Sequence, residues 1–133
     1  MKILLPDGWT PPKGYSQGVI AEGRQIFVAG QIGWDETSTF QTDDFTEQTG
    51  QALRNILTIL NAANASAEHI TRMTWFITDK KEYLGSLKSL GQIYLEEVGR
   101  HYPVMTVVVV NALLEDRAKV EIEATAVIPY NNQ

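Results

Sequence analysis

Apolar side chains along this chain recur with two different periods. Between residues 44 and 63 the spacing is helical, with Phe45, Ala52, Leu53, Ile56, Leu57, Leu60 and Ala63 on one stripe. Gln48, Gln51 and Arg54 take the opposite face. Asp44, with Glu47 three residues on, resembles a capping box with Asp in the Ser/Thr place. A second stripe, Tyr83, Leu84, Leu87, Leu90, Tyr94, Leu95 and Val98, predicts a helix over 80–99, capped by Gly99. Elsewhere the pattern is that of strands. Residues 15–21 and 25–32 read as a hairpin around the turn Glu22-Gly23-Arg24. Residues 69–78 carry large side chains on both parities, and 119–128 form the last strand. The run 104–110 is apolar throughout, which predicts a central strand buried on both faces. A Pro/Gly-rich lead-in, residues 1–14, and a polar tail, 130–133, flank this set.

The order β-β-α-β-α-β-β predicts an α+β fold: one domain over residues 1–133, with a mixed sheet and two helices on one face. Two helices cover only one side of such a sheet. The other side, fed by the 104–110 run, is expected to pack on another copy of the chain. Gly30, inside a strand pattern, predicts a bulge or a close approach to the backbone.

Composition narrows the chemistry. At 133 residues and 44% hydrophobic content the chain can bury a core. No apolar run reaches the ~20 residues of a membrane span, and residues 1–8 are too short of apolar length for a signal peptide, so a cytoplasmic location is expected. With no cysteine, thiol chemistry and disulfides are excluded. A net charge of −5 makes nucleic acid an unlikely partner. His69 and His101 stand alone, so no metal site is expected. Gly-x-Ser-x-Gly, Gly-x-Gly-x-x-Gly and Walker A motifs are missing from the sequence.

What remains is a carboxylate, Glu121, set among β-branched strand residues, with Glu123 on the same parity. It is either an acid/base residue that positions water or a structural carboxylate.

Four ordered segments then point to one family. Gly14-Tyr15-Ser16-Gln17-Gly18-Val19, Phe27-Val28-Ala29-Gly30-Gln31-Ile32, Tyr102-Pro103-Val104-Met105-Thr106-Val107 and Val120-Glu121-Ile122-Glu123-Ala124 together resemble the Rid superfamily, also called YjgF, reactive intermediate deaminase or endoribonuclease L-PSP. The resemblance spans about residues 12 to 128. It implies a chorismate-mutase-like fold and a homotrimer with a metabolite cleft at each subunit interface. It also implies hydrolytic deamination of imines or enamines, such as 2-aminoacrylate, without metal or organic cofactor. In that pattern Tyr15 and Glu121 handle water and protons, and the Gly30 amide, with Gln31 beside it, helps hold the substrate. Ala29 takes the place of a common serine and Val107 that of a common cysteine. Met105 falls where the family keeps the arginine that grips the substrate carboxylate.

That last difference carries weight. An arginine fork makes two parallel charge-assisted hydrogen bonds to a carboxylate, whereas methionine is a flexible apolar wall. A cleft with Met105, Ala29 and Val107 is expected to be more apolar and less suited to small imino acids. Trp34 is expected at its mouth, and His101 is a further candidate. Trp75, Tyr83 and Leu87 read as core or interface. Two functions stay open: an imine or enamine deaminase acting on something other than 2-aminoacrylate, and a non-catalytic small-molecule-binding or sensing trimer. The ribonuclease label is disfavoured by the charge.

Overall fold

The computed structural model describes residues 1–130; beyond Tyr130 the expected polar tail lies outside them. Strands β1 (Lys2–Leu4) and β2 (Gly18–Ile20) form a small antiparallel ribbon. The main sheet holds β3 (Arg24–Ile32), β4 (Ile70–Ile77), β5 (Val104–Val109) and β6 (Val120–Ile128) in the order β3-β6-β4-β5. Its pairs are antiparallel except β4 with β5, which run parallel. Among the described residues three α-helices, α1 (Phe45–Asn61), α2 (Lys80–Gly85) and α3 (Leu87–Glu97), and a 3-10 turn at Ala67–His69 complete the fold.

The core lies between one face of the sheet and the helices. Val120, Ile122, Ala124 and Ala126 of β6 alternate onto it with Met73, Trp75 and Ile77 of β4. Leu53, Ile56 and Leu60 of α1 close it from above. Asp44 caps α1 as expected, accepting the Glu47 amide at 2.9 Å. Gly99 ends the second helical region at φ +88°, its amide reaching the Tyr94 carbonyl at 3.2 Å, a conformation that favours glycine.

Four expectations need correction. The 15–21 and 25–32 segments do not form a hairpin: β2 pairs with β1 in the lead-in, leaving β3 to pair with β6. The 80–99 helix is two helices meeting at Ser86, and Leu84, Leu87 and Leu95 of its stripe are exposed. Gln48 is not on a solvent face but fully buried. Finally, the apolar run at 104–110 is not central. β5 is the sheet edge, and Val108 and Val109 are exposed. Among the described residues the opposite face of the sheet carries no helix; Phe27, Phe76, Arg72, Glu121 and Glu123 stand on it, with Phe27 73% exposed.

Candidate functional site

The structure sorts the candidate residues into three groups. The first is on the open sheet face. Val28 pairs with Ala124 and Gln31 with Ile122, so β3 carries one extra residue at Ala29–Gly30. This is the bulge that Gly30 predicted. Glu121 lies against it so closely that a Cβ at position 30 would land on the carboxylate, 2.7 Å from Cδ. Only glycine lets backbone and carboxylate share this space. Glu121 is half-buried, and its carboxylate has no hydrogen-bond partner among the described residues. A carboxylate left without a fixed partner at a site open to solvent can hold a water and take its proton.

The second group is on the other side of the sheet. Ser16 ties the lead-in to the start of β5: its amide donates to the Pro103 carbonyl at 3.0 Å and its hydroxyl to the Tyr102 carbonyl at 2.5 Å. That stitch sets Lys13, Gly14 and Tyr15 over Met105 and Val107, at the mouth of a cavity of about 530 Å³. Trp75 forms its floor from β4. Tyr83, Leu87, Leu90, Gly91 and Tyr94 of α2 and α3 form its walls, with Tyr102. Trp75, Tyr83 and Leu87 were expected as core or interface: Trp75 is a core residue that also borders the cavity, Tyr83 packs against that core, and Leu87 stands exposed at the cavity wall.

Several hydroxyls here are not alike. Tyr94 donates to the His101 carbonyl at 2.5 Å and stacks on Tyr102 at 5.7 Å. Burial pushes its hydroxyl well above the usual tyrosine range, and Tyr102 adds to this. Burial also raises Tyr83. The Trp75 Nε1–H is buried and has no acceptor among the described residues. Gly91 sits inside α3, where glycine costs about 1 kcal/mol relative to alanine, yet a Cβ there would meet nothing within 4 Å.

No guanidinium lines this cavity among the described residues; its one cation is the exposed Lys13. Arg54 pairs with Glu97 at 3.3 Å, and Arg117 pairs with Asp43 at 2.9 Å while lying over Phe40. Arg72 stands on the open sheet face. His101 is held elsewhere: its Nε2–H donates to the Ile70 carbonyl at 2.7 Å.

The third group lies against α1. Gln31 and Trp34 open into a polar groove with Gln51, Arg54 and Asn55, away from Glu121. Trp34 packs on Phe40, and its carbonyl accepts from Asn55 at 2.7 Å. Beside it Asp35 gathers the Thr37 hydroxyl, Gln41 Nε2 and the Thr37 and Thr39 amides. Those donors, the Thr37 hydroxyl first and Gln41 next, lower its carboxyl to about 2. Because the folded value is depressed, its support of the 35–41 loop is complete above the unfolded value and is lost as pH falls through about 2. Carbonyl NMR titration should place the Asp35 midpoint near 2, and Gln41→Ala should move it upward.

Within one chain, then, Glu121 with Gly30 and Tyr15 with Met105 occupy opposite faces of the same sheet. No group of three His, Asp or Glu placed to hold a metal is found among the described residues.

The family model described as Endoribonuclease L-PSP matches residues 9–128. The chain belongs to this family, the Rid superfamily. It is 36% identical to a RutC family protein of Pyrococcus abyssi over 126 residues, 94% of this chain and 95% of that one. It is 30% identical to the human 2-iminobutanoate/2-iminopropanoate deaminase, covering 85% and 79% of the two chains. Among solved structures, a Rid protein of unknown function from Yersinia pestis superposes with TM-score 0.84 at 26% identity, over 96% of this chain and 98% of that one. E. coli TdcF with bound serine superposes with TM-score 0.67 at 32% identity, covering 96% and 99%. The mixed α+β fold is thus that of the Rid proteins.

Proposed function

We propose that this Rid protein is a homotrimer whose clefts, each built from two subunits, bind a small metabolite and hydrolyse an imine or enamine other than 2-aminoacrylate. One subunit would supply Tyr15, Met105 and Val107; its neighbour would supply Gly30 and Glu121 across the open sheet face. The observation that carries this reading is the Glu121 carboxylate lodged against the Gly30 bulge with no side-chain partner among the described residues. The deaminase names of the human and Salmonella typhimurium relatives support the reaction class.

In the proposed reaction Glu121 takes a proton from water as the oxygen bonds to the imine carbon. The C=N π pair moves to the nitrogen, which takes that proton back from the carboxyl group to give a carbinolamine; the carboxylate then carries the hydroxyl proton to the nitrogen as the C–N bond breaks, so that ammonia leaves and the oxygen closes the carbonyl. The Tyr15 hydroxyl assists the proton transfer and the Gly30 amide holds the substrate. With Met105 in place of an arginine, small imino acids lose a charge-assisted contact worth about 1.5–3 kcal/mol. The apolar cavity also favours a second reading, a trimer that binds without turnover.

The test is ammonia release from imines generated in situ by an amino acid oxidase, wild type against Glu121→Gln. Equal rates would sink the catalytic reading. Stabilisation by a metabolite in a thermal-shift screen, with no product formed, would leave the binding one.

A further inference from the structure

We infer that Lys13 is the cation that binds the carboxylate of the ligand, and that this ligand carries an apolar body large enough to fill the cavity beneath Tyr15. This deepens the proposed function and rests on it in taking the Tyr15–Met105 cleft as the ligand site.

Charge comes first. Arg54 is paired with Glu97, Arg117 with Asp43 and Lys119 with Glu82. Lys13 lines the cavity and has no ion pair among the described residues. No carboxylate of its own chain lines the cavity with it among those residues. The proposed site also takes Glu121 from the neighbouring subunit. An anion entering beside that carboxylate is repelled, and an unpaired ammonium at the mouth offsets the repulsion.

The backbone holds Lys13 at this mouth. Pro11 and Pro12 precede it, each with a fixed φ. Gly14 follows at φ +80°, a left-handed conformation that favours glycine. The Ser16 stitch then fastens the segment to the carbonyls of Tyr102 and Pro103. The root of the lysine is set in place, and its flexible stem gives the ammonium reach.

The walls fix the orientation of the ligand. Met105, Val107, Leu87 and Leu90 offer it no charge. A carboxylate pushed against them would lose hydration without gaining a partner. It therefore stays outward at Lys13, and the apolar body points inward. The cavity of about 530 Å³ lies within the range of pockets that enclose drug-sized molecules. A three-carbon acid held at Lys13 would leave most of it unfilled, so larger acids bind tighter.

Phenylbutanoate and phenylbutanamide share a body and differ in charge, and neither carries an imine. Titrated calorimetrically into the full chain, the acid should bind saturably and about fivefold tighter than the amide, the gain of an exposed ion pair. Added salt should erode that gain. Lys13→Gln should erase it and Lys13→Arg should keep it, both with an unchanged melting temperature. Propanoate should bind more weakly than phenylbutanoate. The inference is overturned if the acid shows no saturable binding, if the amide binds as tightly, or if the advantage of the acid survives Lys13→Gln. Equal binding of acid and amide is also the result expected if the neighbour's carboxylate takes the ammonium for itself. Propanoate binding as tightly as phenylbutanoate would overturn the size argument. Ammonia release is read separately. Lys13-dependent binding without imine hydrolysis keeps this inference and removes the deaminase reading. Hydrolysis with acid and amide bound alike does the reverse.

Discussion

Glu121→Gln should slow imine hydrolysis by about 100-fold or more, the usual contribution of a positioned general base. Glutamine keeps the shape of the side chain but cannot take a proton from water. Stability should barely change, because the half-buried carboxylate has no hydrogen-bond partner among the described residues to lose. Gly30→Ala should reproduce most of the loss by a different route. Its Cβ would occupy the space of the carboxylate, whose Cδ lies 2.7 Å from that point. A glutamate side chain gives way more readily than a strand, so the carboxylate leaves its position while the fold survives. Turnover numbers and circular-dichroism melts on both variants check this. If each cleft draws on two subunits, refolding a mixture of Glu121→Gln and Tyr15→Phe chains should restore part of the activity. A cleft made by one chain would restore none.

Gln48→Ala should have the largest effect on stability. Gln48 is fully buried where α1 meets the segment leading into β6. Its amide nitrogen donates to the Thr42 and Arg117 carbonyls at 3.1 and 3.0 Å, and its carbonyl accepts the Lys119 amide at 2.9 Å. Alanine would strand a backbone N–H and two carbonyls in a tight space and leave a small void. Together these should cost about 3 kcal/mol, which for a chain of this size lowers the melting temperature by about 10 °C. The neighbouring Gln51 is only half-buried and bonds Asn55 on its own helix; Gln51→Ala should change stability by less than about 0.5 kcal/mol. Urea denaturation of the two variants tests the contrast. Gln48 also holds Gly33 in place, since a Cβ there would strike its Cβ at 2.5 Å. One glutamine thus packs against the residue that follows β3 and bonds the segment that leads into β6.

The parts of this fold that were legible from sequence are those decided locally. The α1 stripe, the Asp44 cap, the Gly99 terminus and the Gly30 bulge each follow from a side chain and its near neighbours. Gln48 was misread because its polarity suits a solvent face; only the fold shows that three backbone groups wait for it inside. The run around Val107 was misread for a related reason. An apolar strand is the same in sequence whether a neighbour lies on both edges or on one, and strand order is set by chain crossings that no local pattern records. For the site, the grouping of the candidate residues was not readable. Tyr15, Met105 and Val107 do meet, whereas Glu121 lies across the sheet from them and Gln31 turns toward α1.

The edge position of β5 has a kinetic signature. With β4 on one side and only the Ser16 bridge at Val104 on the other, alternate amides of β5 beyond Met105 have no strand to donate to among the described residues. In a lone subunit, deuterium should enter β5 at every second residue while the amides of β4 and β6 resist it, and if the proposed trimer covers this edge, assembly should silence that alternation. The exchange pattern of six residues would then report assembly directly, without a label or a ligand.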